Sequence, residues 1–286
     1  MHFRIEAMHP VINEIKDALR GVYPDFEAFS LAKMLLVEAF GFSTLELYGG
    51  KDKEISGKRR EDLDEMIRRL QKNEPIQYII GHERFCGLTF EVNEHVLIPR
   101  PETQELVRWI ITDYQNTTPC HILDIGTGSG CIAVSLSNYI FDAEVDAWDI
   151  SAEALQVARR NGERNGVKLH LEQKDILNVA PVSNRYDVIV SNPPYITEKE
   201  KVDMEANVLA WEPSVALFVS DDDPLVFYRR IAQLGKTMLR EGGALYFEIN
   251  RAYGKDMQCM LASLGYKDIE LRIDEWGNDR MIKAKR

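Results

Sequence analysis

Ser191-Asn192-Pro193-Pro194-Tyr195 follows directly on the apolar run Tyr186-Asp187-Val188-Ile189-Val190. That order puts one carboxamide at the end of a buried strand and stiffens the backbone beyond it. Each proline fixes its own φ near about −65° and pushes the residue before it out of the helical region. The result is a rigid spur with a carboxamide at Asn192, a bare main-chain carbonyl at Pro193 and an aromatic ring at Tyr195. Asn192 Oδ1 and the Pro193 carbonyl are natural acceptors for both hydrogens of a planar NH2 group, and Tyr195 can pack against the flat group carrying it. Such a nitrogen is a poor nucleophile because its lone pair is delocalised into the attached π system. Drawing both N–H bonds toward acceptors returns charge to nitrogen and aims its lone pair. Alignment and preorganised electrostatics then supply most of the rate without a strong base, and the proton leaves after transfer. A proline pair alone also reads as an ordinary stiff turn, so its surroundings decide.

Those surroundings include Asp124-Ile125-Gly126-Thr127-Gly128-Ser129-Gly130, which follows an apolar strand and opens a helix. Glycines let such a turn take positive φ and bring main-chain amides close to a ligand. Asp149 ends the second strand, where its carboxylate can accept both hydroxyls of an adenosine ribose. Asp175-Ile176, after the third strand, offers a carboxylate near an adenine amino group and an apolar residue against the ring. A dinucleotide fingerprint spaces its glycines G-x-G-x-x-G. Here they run Gly126-x-Gly128-x-Gly130 behind Asp124, a spacing typical of S-adenosylmethionine sites. Singly, these pieces are a tight turn and solvated loop acids. Ordered at consecutive strand ends, where open sheets bind ligands, they form a donor site beside the Asn192 spur.

The elements that must position these residues change in kind along the chain. Residues 1–80 read as short helices. Val11, Ile12, Ile15 and Leu19 share one face, as do Leu63, Met66, Ile67 and Leu70, with a further helix through Phe26, Phe29, Leu35, Leu36 and Ala39. Gly41, Gly49-Gly50 and Gly57 punctuate the segment. Phe85, Leu88, Phe90, Val92 and Val96 alternate around Gly87 as in a hairpin. It runs into the Pro99/Pro101 linker, after which Thr103 is placed to cap a helix carrying Leu106, Val107, Ile110 and Ile111. Strands are then expected over 121–125, 144–148, 167–173, 186–190 and 244–249, with helices over 129–139, 152–165 and 225–239. Near-continuous apolar strands alternating with helices indicate a mostly parallel sheet covered on both faces. Segments 267–273 and 279–285 are expected to close it as an antiparallel edge pair.

With 286 residues, 45% of them hydrophobic, the chain can bury a large core. A net charge of −11, from 35 basic against 46 acidic residues, argues against binding along a nucleic-acid backbone. Cys86, Cys120, Cys131 and Cys259 make no CxxC pair, and the histidines show no metal-ligand spacing, so neither disulfides nor a metal site is expected. The opening residues lack a signal-peptide apolar stretch and no run approaches a membrane span, so the expected location is cytoplasmic.

Taken together, the motifs resemble the HemK/PrmC family, the glutamine N5-methyltransferases of peptide chain release factors. The resemblance rests on Phe85-x-Gly87-x-x-Phe90-x-Val92, Val96-Leu97-Ile98-Pro99-Arg100-Pro101-Glu102-Thr103, Asp124–Gly130, Asn192–Ile196 and Glu212-Pro213-Ser214-x-Ala216-Leu217. It implies an α/β fold: a Rossmann-like class I S-adenosylmethionine-dependent methyltransferase sheet with an antiparallel C-terminal edge. Residues 1–80 would be a small helical substrate-binding domain, 81–103 a β-hairpin and Pro-rich linker, and 104–286 the methyltransferase domain. It further implies that Gly126, Thr127, Gly128, Ser129, Gly130, Asp149 and Ile176 contact the donor. Asn192 would touch donor and glutamine, and Pro193, Pro194 and Tyr195 the glutamine of a Gly-Gly-Gln loop. Arg100 and Glu212 either shape the cleft or form a structural salt bridge. Gln104 stands where many relatives have Glu. Glu248-Ile249-Asn250 departs from a family segment that usually continues with Gly and a later Gln, and no role is assigned there. A nucleic-acid amino-methyltransferase, such as one acting on adenine N6, would explain Asn-Pro-Pro-Tyr equally well, but it calls for a basic cleft. A donor-binding scaffold would have no need of the Asn192–Tyr195 acceptors.

Overall fold

The computed structural model describes residues 9–49 and 54–286. Gly50 and the opening Met1–Met8, read above for a leader, lie outside the described residues. The chain divides into two compact units, one running to Gly81 and joined by Glu205–Trp211, the other comprising His82–Met204 and Glu212–Arg286.

The first unit contains α1 (Pro10–Ala18), α2 (Asp25–Glu38), α3 (Thr44–Gly49), α4 (Lys58–Leu70) and α5 (Ile76–Ile80). Ile12, Ile15 and Leu19 are buried with Leu35, Leu36, Leu63 and Leu70 in one core, as the helical spacing requires. Phe26, one of the residues that suggested the second helix, lies in α2 but is 75% exposed. The buried face of α2 runs through Ala28, Ala32, Leu35 and Leu36, and a residue two positions before Ala28 points away from it at about 100° per residue.

In the second unit, β1 (His82–Phe85) and β2 (Leu88–Glu91) form the expected hairpin. Cys86 and Gly87 make its two-residue turn with φ of 49° and 77°, the positive values that match the twist of paired strands. The second strand stops at Glu91, so Val96 lies beyond it. Helix α6 (Pro101–Tyr114) opens with Pro101 in its first turn and Arg100 at the cap position. Thr103 is therefore not the cap. It lies inside the first turn, 2% exposed, and its hydroxyl is engaged elsewhere.

The remaining elements follow in order: β3 (Cys120–Ile125), α7 (Cys131–Tyr139), β4 (Ala143–Asp149), α8 (Ala152–Arg164), β5 (His170–Gln173), β6 (Tyr186–Ser191), β7 (Ile196–Thr197), α9 (Ala206–Trp211), α10 (Ser214–Leu217), β8 (Phe218–Val219), α11 (Val226–Met238), β9 (Leu239–Glu248), α12 (Gly254–Ser263), β10 (Lys267–Ile273) and β11 (Asp279–Lys285). Seven strands make one sheet in the order β10-β11-β9-β6-β3-β4-β5. The five from β9 to β5 are parallel, and β11 and β10 add an antiparallel edge. Two apolar layers cover its faces. One gathers α6 and α7 residues such as Leu106, Ile110 and Val134, the other α11 and α12 residues such as Ile231, Met238 and Leu261.

The strand order reverses between β4 and β6 on either side of β3, which creates a switch-point crevice at the carboxyl ends. Register levels it: Ile125 pairs with both Trp148 and Ser191. The residues one step beyond are Gly126, Asp149 and Asn192, so three candidate residues emerge side by side on neighbouring strands about 4.8 Å apart. No helix among the described residues is long and apolar enough to cross a membrane.

Candidate active site

A cavity of about 250 Å³ opens where those three strands end. Gly126, Thr127, Gly128, Ser129, Asp149, Asp175, Ile176, Asn192, Pro193 and Pro194 all line it. The structure thus brings ten of the sequence-selected positions to one place. Gly130 and Tyr195 stand outside the lining.

The glycine turn is held by main-chain bonds. Gly126 N and Thr127 N both donate to the Trp148 carbonyl, at 2.8 and 3.0 Å, locking the turn onto the end of β4. Gly126 and Gly128 have φ of 73° and 53°, and a Cβ added at either would stand in open space. Their bareness therefore keeps room for a ligand. Gly130 differs: at φ 79° its added Cβ would meet Ala158 Cβ at 3.0 Å. It permits close packing of the turn on α8.

Asp149 completes the cradle. Its Oδ2 accepts from Gly128 N at 2.8 Å and its Oδ1 from Ser151 N at 2.9 Å. A carboxylate has about four acceptor positions, so capacity remains here for a ligand hydroxyl. Burial raises its carboxyl above the usual carboxylate range, against the lowering effect of those N–H donors. Asp175 turns one oxygen to Leu177 N at 2.9 Å and the other to Asn178 Nδ2 at 2.6 Å, so it also shapes its own loop. Ile176 and the half-exposed Ile150 supply apolar lining.

Asp124, one residue short of the end of β3, is fully buried and accepts from Thr127 Oγ1 at 2.6 Å. Burial pushes its carboxyl up to about 7. Between its unfolded value and about 7 the folded state binds the extra proton, so this group's contribution to stability falls as pH rises through that window. In donor-free protein, the stability of the parent relative to Asp124→Asn is expected to decline by a few kcal/mol between about pH 4 and 8, at about 1.4 kcal/mol per unit. Urea melts of both proteins at each pH check this, and a constant difference would contradict it.

On the acceptor side, Ser191 Oγ donates to the Ile125 carbonyl at 2.6 Å, fixing the strand end from which the spur departs. Asn192 Nδ2 faces Thr103 Oγ1 at 3.3 Å. Tyr195, expected to pack against a flat substrate group, is part-buried. Its hydroxyl donates to Glu248 at 3.0 Å, and its ring packs against the α11 and α12 layer. Its carbonyl accepts from Asn250 Nδ2 at 3.1 Å, and Asn250 also donates to Glu200. Asn250 thus braces the spur, a part the sequence reading did not give it. Arg100 pairs with the buried Glu212, which also accepts from Ile98 N at 3.2 Å. The pair ties the Ile98–Thr103 segment in place, and Arg100 lines the cavity as well.

Thr103, Glu248 and Asn250 are polar residues whose parts sequence reasoning missed. A signal did exist for the second: an acid inside the otherwise apolar run Ala244–Ile249 has to find partners.

Comparison with known proteins bears on this arrangement. Residues 106–212 match the family model described as Methyltransferase small domain, and residues 11–81 match the PrmC N-terminal domain. The chain is 49% identical over 280 residues to the release factor glutamine methyltransferase of Bacteroides thetaiotaomicron, covering 98% of this chain and all of that one. It is 41% identical over 270 residues to the protein of the same name from Flavobacterium psychrophilum, covering 93% and 95%. Among solved structures, the hMettl16 catalytic domain in complex with a MAT2A 3'UTR hairpin has a TM-score of 0.56 at 16% identity, covering 75% of this chain and 79% of that one. That likeness is one of fold.

Proposed function

The chain belongs to the release factor glutamine methyltransferase family, and we propose that it transfers a methyl group from S-adenosyl-L-methionine to the side-chain amide nitrogen (N5) of the glutamine in the Gly-Gly-Gln loop of peptide chain release factors. One observation carries the reading: the planar-nitrogen acceptors Asn192 and Pro193 line the same cavity as Gly126, Gly128 and Asp149.

The residues present fit the donor. Open space beside Gly126 and Gly128 would otherwise be filled by a Cβ, and the Asp149 carboxylate would offer its remaining acceptor capacity to the ribose hydroxyls. Gly126, Thr127, Gly128, Ser129, Asp149, Asp175 and Ile176 would hold it. When bound, S-adenosylmethionine supplies an electrophilic methyl carbon on a sulfonium. Asn192 Oδ1 and the Pro193 carbonyl accept the two N–H bonds of the glutamine amide, which raises electron density on nitrogen and orients its lone pair toward the donor. The prolines hold both acceptors still, so little reorganisation is needed as charge develops. The proton that nitrogen must lose leaves after the new N–C bond has formed, when the nitrogen is most acidic. In this reading the helical segment 1–80 and the hairpin hold the protein substrate, and the reaction takes place in the cytoplasm.

The test is incubation of the purified protein with methyl-labelled donor and either a release factor or its Gln→Ala loop variant. Label is expected in the first alone. Equal labelling of both, or transfer to nucleic acid in preference to the release factor, would overturn the assignment.

A further inference from the structure

A line of hydrogen bonds runs from the acceptor carboxamide into the core. Asn192 Nδ2 faces Thr103 Oγ1 at 3.3 Å, and Thr103 Oγ1 lies 2.6 Å from Glu248 Oε2. Tyr195 OH approaches the other oxygen, Glu248 Oε1, at 3.0 Å. Thr103 and Glu248 are 2% and 1% exposed, so water does not offer either of them a substitute partner. The three elements involved, α6, β9 and the spur after β6, are distant in sequence, with Thr103 and Glu248 separated by 145 positions.

Proton counting gives this line a direction. A carboxylate only accepts, and a threonine hydroxyl has a single hydrogen. With Glu248 ionised, both neighbouring hydroxyls must donate to it. Thr103 Oγ1 is then left with lone pairs alone for Asn192, so the NH2 end of the carboxamide must face Thr103 and Oδ1 must face away from it. A carboxamide is nearly the same shape after a half-turn about its last bond. Shape alone therefore cannot decide which end meets the substrate. The wrong end would set an NH2 donor against the N–H bonds of the incoming amide.

We infer that Thr103 and Glu248 are positioning residues that fix the polarity of the Asn192 carboxamide, holding Oδ1 available to the methyl-accepting nitrogen. The inference deepens the methyltransferase reading and rests on it. The groups facing Glu248 are consistent with an ionised acceptor. Burial, the largest effect, raises the Glu248 carboxyl above the usual carboxylate range, and Glu102 adds to it. The Thr103 and Tyr195 hydroxyls on its two oxygens and Arg280 on β11 act the other way and favour the charge; Tyr228 OH donates to its main-chain carbonyl at 3.2 Å.

Three substitutions separate polarity from packing. Thr103→Val keeps shape and removes the acceptor. Glu248→Gln keeps shape but sets an NH2 against one of the two hydroxyls, Thr103 or Tyr195; where it meets Thr103, that hydroxyl donates to Asn192 and turns the carboxamide over. Thr103→Ser keeps the hydroxyl. Thr103→Val and Glu248→Gln are each expected to lower kcat by about 10- to 100-fold, the scale of a misaligned reacting group. Donor affinity by calorimetry should stay within about threefold, and Thr103→Ser should recover most of the rate.

An independent readout is the Asn192 side-chain NH2 resonance pair in a 1H–15N spectrum, assigned by its loss in Asn192→Asp. It should move in Thr103→Val and Glu248→Gln and stay near the parental position in Thr103→Ser. Parental kcat and unmoved resonances in both shape-preserving variants would overturn the inference. So would Thr103→Ser as slow as Thr103→Val, or loss of donor binding in step with kcat. If the parent labels a release factor while Thr103→Val does so at the parental rate, the polarity inference falls and the methyltransferase reading stands. If the parent labels no release factor, that reading falls and takes the inference with it.

Discussion

Replacing Asn192 with alanine is expected to lower kcat about a thousandfold while leaving donor affinity within about threefold of the parent. On the proposed mechanism the two effects separate because the side chain removed would accept from the reacting amide, whereas the donor cradle would rest mainly on other groups. Gly126 and Thr127 stay bound to the Trp148 carbonyl, and Asp149 keeps its bonds to Gly128 and Ser151. Pro193 still offers its carbonyl, since no side-chain substitution removes a main-chain oxygen. One N–H of the glutamine amide would then point at an empty corner, and the lone pair would lose both charge and aim. Loss of one preorganised hydrogen-bonding group at a reacting centre costs about 3–4 kcal/mol of transition-state stabilisation. Single-turnover label transfer at saturating donor, with calorimetry of donor binding, measures both quantities. A near-parental kcat would remove Asn192 from the acceptor role, and a collapse of donor affinity would reassign it to the cradle.

The strand ends that matter were legible because their cues are local. Apolar runs ending in Ile125, Trp148 and Val190 announce strands, and the residue types just beyond them cannot be explained by packing. Edge strands Lys267–Ile273 and Asp279–Lys285 begin and end where the alternation puts them. Boundaries slipped where a turn intervened. The strand expected from Val167 begins at His170, since Gly166 at φ 69° and the Val167 N to Gly162 O bond still belong to the helix end. Likewise, β9 starts at Leu239, five residues before the apolar run, because Leu239 pairs with Tyr186 before an irregularity around Gly242 and Gly243.

What sequence could not convey was the partnership of Thr103, Glu248 and Asn192. A threonine at the start of a helix reads as a cap, and only the packing of α6 against β9 brings Glu248 to its side. The same holds for Gly130: its spacing fits the glycine turn, but its bareness answers to Ala158, a residue of α8 that no local pattern names.

Asp149→Ala should weaken S-adenosylmethionine binding by about a hundredfold or more, and Asp149→Asn should fall nearly as far. A hydrogen bond to a charged group contributes about 1.5–3 kcal/mol. Two ribose hydroxyls on one carboxylate therefore justify an estimate of about 3 kcal/mol, or about two decades in Kd. Asparagine is a poor substitute for a reason visible in the cradle: both carboxylate oxygens already accept main-chain N–H bonds, from Gly128 and from Ser151. An amide must turn its NH2 toward one of those donors, which either opens the glycine turn or breaks the cap region of α8. Protonation imposes a similar conflict in the parent. Burial raises the Asp149 carboxyl, so affinity is full above that raised value and is lost as pH falls through it, earlier on acidification than for a solvated aspartate. In Asp149→Ala this component of the pH dependence should vanish. Calorimetric titrations of both proteins with S-adenosylmethionine across the acidic range test the magnitude and the sign together. Unchanged affinity in Asp149→Ala would remove Asp149 from the donor site, and an identical acid limb in both proteins would assign that limb to another group.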